Sequence, residues 1–225
     1  VMSEINILYG APGAGKTTAA NLLPKDIEYL SVGKLARQEI ELKTKFGKKL
    51  LSYINNLEEY PKPIIKKLIE KPIINSEKII LVDGFPKFER EVEVLEDIME
   101  DNSLLPGFVF NINISHEDAW DRIKDRKVCP NCDYQSTEQT CCPDCKELLK
   151  TRDGDSYEDF AIRYQDYELN NNLVKSKLIK LGFKAIEMSL KTPQEYCDII
   201  TDSLLNHARV AQKREQLESF QEVDS

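Results

Sequence analysis

The chain has only two histidines, His116 and His207, and neither lies near a recognisable nucleophile, which excludes triad-type acyl chemistry. No apolar run approaches the roughly 20 residues that cross a bilayer, so no membrane span or membrane partner is expected. An excess of basic residues is also missing. The net charge of −8 argues against the broad positive surface of a duplex nucleic-acid binder, although local basic clusters can still hold phosphates. No secretory pattern precedes the first strand, which predicts a cytoplasmic chain. What is present, 225 residues with 31% charged and 41% hydrophobic, suits one principal globular domain carrying insertions.

The most informative stretch is Gly10-Ala11-Pro12-Gly13-Ala14-Gly15-Lys16-Thr17, which fits the phosphate-binding pattern G-x-x-x-x-G-K-[ST] at every fixed position. It follows the apolar run Ile5–Tyr9 and precedes the helix-prone Thr18–Leu23. Glycines let the backbone wrap a polyphosphate and turn successive N–H groups inward, and the following helix N-terminus adds positive potential. Gly10, Gly13, Ala14, Gly15 and Thr18 are the expected cradle. Lys16 would reach the outer phosphates, and the Thr17 hydroxyl would ligate Mg²⁺. A plain glycine-rich turn needs neither Lys16 nor Thr17.

Short β-branched runs alternate with helical stretches along most of the chain. Strands are predicted at Ile5–Tyr9, Ile27–Leu30, Lys78–Val82, Gly107–Ile114 and Phe183–Met188, which makes an α/β fold with a five-stranded parallel sheet. Ser115-His116-Glu117-Asp118 opens a helix with Ser115 as its N-cap. Two stretches interrupt the alternation: a helical, charged one between the second and third strands, and a cysteine-rich one between Lys127 and Asp155. The polar tail His207–Ser225, with Leu217 and Phe220 as its main apolar residues, reads as a surface helix.

The run Ile79–Val82 ends in Asp83-Gly84-Phe85-Pro86, placing an acid where a parallel strand beside the phosphate loop can hold Mg²⁺, often through water. With the loop at Gly10–Thr17, this sequence makes the chain resemble adenylate kinases and related nucleoside monophosphate kinases. Ordered matches extend the resemblance: Ser31-Val32-Gly33-Lys34-Leu35-Ala36-Arg37, Phe46–Leu50, Asp121–Arg126, Thr151–Asp155 and Arg163. It implies a three-layer core at 1–30, 78–126 and 156–225, a helical monophosphate-binding insert at 31–77, and a lid at 127–155. It also implies a monomer that transfers phosphoryl between ATP and a nucleoside monophosphate. Lys16, Asp83, Arg126, Arg152 and Arg163 would be catalytic, Arg122 would cover the donor base, and Ser31, Gly33, Arg37, Tyr60, Lys87 and Glu91 would hold the acceptor. The arginines make chemical sense on their own terms, because forked guanidinium groups bind phosphate oxygens and stay charged.

The acceptor side departs from the family pattern. The usual arginine after Asp-Gly-Phe-Pro is Lys87, which loses the bidentate fork, and Arg90 one turn later could compensate. The family's adenine-reading Gln falls at Glu91, and an ionised carboxylate cannot donate to adenine N1; it would better suit the N1–H and amino group of guanine. Leu57-Glu58-Glu59-Tyr60 replaces the usual Gly-x-Leu-Val, and Lys34 replaces the usual Asp. AMP stays first among acceptors on family frequency. GMP, UMP, CMP or a deoxynucleotide is the alternative, as is a nucleotide sensor that has lost turnover.

Cys129-Pro130-Asn131-Cys132 and Cys142-Pro143-Asp144-Cys145 are paired C-x-x-C knuckles, the usual arrangement for a closed, structural Zn²⁺ site. A small insert with almost no hydrophobic core needs such a staple. Disulfides are disfavoured in a cytosolic chain. Cys141 adjoins Cys142 and could replace it, with spacing favouring Cys142. Cys197 reads as core.

Overall fold

The alternation resolves into a layered α/β architecture in the computed structural model, which describes residues 3–55, 59–131, 134–152, 154–189 and 192–223, with side chains up to residue 210. In chain order the elements begin with β1 (Glu4–Gly10), α1 (Lys16–Ala20), β2 (Ile27–Ser31), α2 (Val32–Glu41), α3 (Lys45–Asn55), α4 (Lys62–Ile74), β3 (Ile79–Asp83) and α5 (Glu89–Asp101). They continue with β4 (Leu105–Asn113), α6 (His116–Ile123), β5 (Lys127–Val128), β6 (Gln135–Ser136), β7 (Lys150–Thr151), α7 (Tyr157–Lys180), β8 (Lys184–Ser189) and α8 (Pro193–Val223). The expected five-stranded parallel sheet forms in the order β2-β3-β1-β4-β8. β1 is central, so the loop that follows it opens at the C-terminal edge of the sheet, where open α/β sheets bind ligands.

Each face of the sheet buries its own apolar cluster. Ile5, Ile7 and Val109 pack with Leu95 and Ile98 of α5 and with Val174 and Leu178 of α7. Leu8, Leu81, Phe110 and Ile112 pack on the other side with Ala19 of α1 and with Tyr196, Ile200 and Leu204 of α8. Helices on both faces give three layers. The helical stretch α2–α4 does not stand apart: Leu50, Ile65 and Ile69 belong to the same cluster as Ile5 and Ile7.

Two local readings are refined. The helix expected through Leu23 stops at Ala20; the N–H groups of Leu22 and Leu23 then donate three residues back, to the Ala19 and Ala20 carbonyls, before Pro24. Proline disfavours helical geometry in the residue before it. The cysteine-rich stretch, which carries no helical period, holds a small antiparallel sheet in the order β6-β5-β7. Ser115 caps α6 as expected, its Oγ accepting the Asp118 N–H at 3.1 Å, and Ser156 caps α7 in the same way. Among the described residues no helix is long and apolar enough to cross a membrane.

β1 carries a polar residue in its buried centre. The ladder to β4 shifts between Ile5 and Ile7, whose partners are Pro106 and Val109, so β4 bulges by one residue. Asn6, fully buried, accepts the Phe108 N–H on Oδ1 at 2.8 Å and donates from Nδ2 to the Ile80 carbonyl at 3.1 Å. The side chain therefore repairs the hydrogen bonding that the bulge disturbs. This works only beside Gly107, where a Cβ would lie 2.2 Å from Asn6 Oδ1. Gly107→Ala is expected to cost about 2 kcal/mol of unfolding free energy in urea melts, through overpacking of this site.

Candidate active site

The loop after β1 sits on α6. Gly13 has φ +83°, and a Cβ there would lie 2.4 Å from the Ala119 carbonyl oxygen, so a side chain is excluded both by conformation and by space. Lys16 folds back over the loop, its Nζ donating to the carbonyls of Gly10 at 2.7 Å and Ala11 at 2.9 Å. Burial lowers its pKa, and the nearby carboxylate of Asp83 opposes that shift. Arg122 of α6 reaches the same loop, with Nη1 3.4 Å from the Ala14 carbonyl.

A cavity of about 790 Å³ opens over this loop, within the range of about 300–1,000 Å³ usual for small-molecule sites. Gly10, Gly13, Ala14, Gly15, Lys16, Thr17 and Thr18 line it from the loop and α1. Ser31, Gly33 and Arg37 line it from the start of the helical stretch, and Asp83 and Lys87 from the end of β3 and the turn beyond. Arg122, Arg126, Arg152 and Arg163 close it from the α6, lid and α7 side. Residues far apart in sequence thus meet around one space. Tyr60 and Glu91 are not among the lining residues.

The guanidinium groups are held by the carboxylate that ends the matched segment Thr151–Asp155, a residue to which the sequence assigned no role. Asp155, whose side chain is 1% exposed, takes Arg126 in a fork, Nε at 2.9 Å and Nη2 at 2.7 Å, and accepts from Arg163 Nη2 at 3.2 Å. Arg163 also donates to the Gly154 carbonyl. Arg152 is pulled down to about 10, first by burial and then by the neighbouring charges of Arg126 and Arg37. A cluster this positive favours a multiply charged anion. Tyr29 is a second residue to which the sequence assigned no role: it reads as one position of a strand, yet it lines the cavity, and its hydroxyl donates to Asp83 Oδ2 at 2.5 Å.

The two residues nearest the unusual acceptor motif have local partners. Arg90 pairs with Glu59 at 2.5 Å and donates to the Tyr60 carbonyl at 3.2 Å, tying α5 to the segment before α4. Leu57 and Glu58, like Asp153, lie outside the described residues. Glu91 is 4% exposed and occupies the third position of α5, where its Oε2 accepts the Lys87 N–H at 2.6 Å. The bond ties the turn just before the N-cap residue Phe88 to the first turn of α5.

In the lid, Cys129, Cys142 and Cys145 bring their sulfurs within 4.8 Å of one another, a group that could hold a metal ion. Cys129 and Cys145 sulfurs are 3.3 Å apart. Four thiolates on one Zn²⁺ sit about 3.8 Å from each other, given Zn–S bonds of about 2.3 Å, so this donor set fits. Cys142 is buried in the cluster, whereas Cys141 is exposed and bridges Leu148, which decides between them in favour of Cys142. Cys132 lies outside the described residues. Cys197 is buried on α8 beside Thr201, as core.

Burial raises the pKa of Glu91, and the backbone N–H groups of Lys87 and Phe88 oppose it. The folded state therefore holds the Glu91 proton more tightly than the unfolded chain, so its contribution to stability is present at low pH and is lost as pH rises through the raised folded value. Glu91→Gln keeps the acceptor for the Lys87 N–H and removes the charge. It is expected to raise the thermal midpoint at pH 7 by a few degrees and to leave it little changed near pH 4, read by calorimetry at the two pH values.

Comparison with known proteins agrees with this geometry. A family model described as adenylate kinase matches residues 8–179. An adenylate kinase of a Nitratiruptor species is 34% identical over 131 residues, covering 56% of this chain and 68% of that protein. An adenylate kinase of a Thermoanaerobacter species is 31% identical over 173 residues, 72% of this chain and 80% of that protein. One from Mycoplasma mycoides is 30% identical over 172 residues, with 72% and 80% covered. With the phosphate loop, the acid at the end of β3 and the arginine cluster on one cavity, the chain belongs to the adenylate kinase family and is a phosphotransferase.

Proposed function

We propose that the protein catalyses reversible transfer of the γ-phosphoryl group of Mg·ATP to a nucleoside monophosphate, with AMP first among acceptors, giving two diphosphates. The observation that carries this reading is the single cavity joining the phosphate loop, Asp83 and the guanidinium groups of Arg37, Arg126, Arg152 and Arg163. The reading includes a monomer that works in the cytoplasm, with ATP and the monophosphate as its partners.

In this reading the backbone N–H groups of Gly13–Thr18 hold the donor phosphates, and Lys16 exchanges the Gly10 and Ala11 carbonyls for phosphate oxygen. Arg122 covers the donor base from α6. Arg126, Arg152 and Arg163 gather the negative oxygens that approach one another during transfer. Arg37, Ser31, Gly33 and Lys87 hold the acceptor, whose phosphate oxygen is itself the nucleophile, so no general base is needed. Thr17 and Asp83 would hold Mg²⁺. Asp83 suits it, because its Oδ1 is buried without a hydrogen-bond partner while it borders the cavity. The ion supplies charge neutralisation at the β- and γ-phosphates.

The division of labour follows the chain. Residues 1–30, 78–126 and 156–225 form the core, 31–77 the acceptor-binding part and 127–155 the lid, with Cys129, Cys132, Cys142 and Cys145 on a structural Zn²⁺. Closure of the lid and of the acceptor part would exclude water and suppress hydrolysis. Glu91 and Tyr60 remain proposed for the acceptor base, which they would meet only after the acceptor part closes, since neither lines the cavity as it stands. Arg90 is not proposed for the acceptor phosphate, because its guanidinium group is engaged by Glu59 and Tyr60. A guanine acceptor is the second reading, favoured by one feature: Glu91 as a carboxylate has no proton for adenine N1.

A coupled assay of ATP against each nucleoside monophosphate decides the reaction. Turnover highest with AMP is expected. A preference for GMP would replace AMP and support the guanine reading, and no diphosphate with any acceptor despite ATP binding would leave only a sensor. For the lid, metal analysis of protein purified without chelator is expected to find one zinc per chain. Cys142→Ser should lose it and Cys141→Ser should keep it; metal retained by Cys142→Ser would overturn the assignment.

A further inference from the structure

Tyr29 stands on β2, and its side chain reaches the end of the neighbouring strand β3. Its hydroxyl donates to Asp83 Oδ2 at 2.5 Å. Thr17, from the phosphate loop, and Ser31, the N-cap of α2, line the same cavity beside it. Asp83 is 6% exposed, and its second oxygen, Oδ1, is buried with no partner among the described residues. The phenol therefore holds one oxygen of the acid and leaves the other without a partner.

We propose that Tyr29 is a positioning residue of the phosphoryl-transfer centre, whose hydroxyl fixes Asp83 by Oδ2, so that Asp83 Oδ1 is the oxygen left to face Mg²⁺. The proposal rests on the phosphotransferase reading of the cavity. Its chemistry follows from the donor and acceptor inventory. A phenol that donates its proton to one carboxylate oxygen occupies that oxygen and leaves the lone pairs of the other for a cation. Outer partners of this kind set the orientation of metal-ligating groups.

The same hydroxyl keeps two charges apart. Asp83 and Lys16 are close enough for the carboxylate to stabilise the ammonium. Yet Lys16 directs its hydrogen bonds to the Gly10 and Ala11 carbonyls, and Asp83 commits Oδ2 to Tyr29. Without the phenol proton, Asp83 is free to swing onto Lys16. That would withdraw one group from the metal and the other from the phosphates.

Tyr29→Phe in the full chain tests this, with Mn²⁺ as the metal probe. The dissociation constant of Mn²⁺ from the protein–ATP complex, followed by the electron paramagnetic resonance signal of free Mn²⁺, is expected to rise about tenfold or more. ATP affinity in EDTA should stay unchanged, because the loop cradle is intact. A folded variant that binds Mn²⁺ as tightly as the wild type overturns the proposal, as does one that loses ATP affinity equally with and without metal. If Tyr29→Phe does not fold, proton NMR of the wild-type protein decides. A slowly exchanging hydroxyl proton contacting the Tyr29 ring supports the proposal, and its absence overturns it. Failure of the kinase reading shows separately, as a wild-type protein that binds Mn²⁺ and ATP but makes no diphosphate.

Discussion

Repulsion among guanidinium groups crowded around one cavity is what the surrounding structure has to hold in check. Arg37 comes from α2, Arg126 from the turn after α6, Arg152 from just beyond the strand that leaves the lid, and Arg163 from α7. Arg152 feels the charge of the other three, and its pKa falls accordingly. Asp155 answers for Arg126 and Arg163 together, from a position where its own side chain is almost fully out of water. The remaining positive charge faces the space over the phosphate loop. Polyphosphate oxygens complete that arrangement, and phosphoryl transfer is chemistry carried mainly by positioning and charge.

Inside the sheet the same demand for partners applies to neutral groups. Asn6 is buried where a hydrophobic residue would be expected, and it bonds to both neighbouring strands across a bulge. Asn111 on β4, also fully buried, donates to Glu187 of the edge strand β8 and to Asn113 at the end of its own strand. Each supplies what an apolar residue could not, a partner for groups that would otherwise lose their hydrogen bonds. These bonds fix the relative height of β1, β3 and β4, and with it the place where the phosphate loop leaves the sheet.

The lid is built on a different principle. Its apolar cluster among the described residues is Cys129, Cys142 and Leu149, with Tyr134 and Cys145 packed against it, and its strands are two residues long. So small a core does not hold a fold by burial alone, and a metal-bound cluster of thiolates is the natural substitute. Of the cavity residues that 127–155 contributes, Gln135, Ser136 and Thr137 sit on and just after β6, and Arg152 directly follows β7.

The sequence by itself determined what depends on neighbours in the chain. The strands with their short β-branched runs, the phosphate loop between strand and helix, the cap at Ser115 and the paired cysteines are all local patterns, because strand, turn, cap and knuckle geometry repeats within a few residues. Most of the cavity was legible too, since its arginines stand in segments that resemble known kinases. The tertiary structure decided the rest. It selected Asp155 from among 39 acidic residues as the partner of two arginines and put Tyr29 on Asp83. It also turned Arg90 to Glu59, and chose Cys142 over its neighbour. In each of these the two partners are distant in sequence, or the choice turns on which way a side chain is buried. Neither burial nor a long-range contact leaves a mark on the residues one position away.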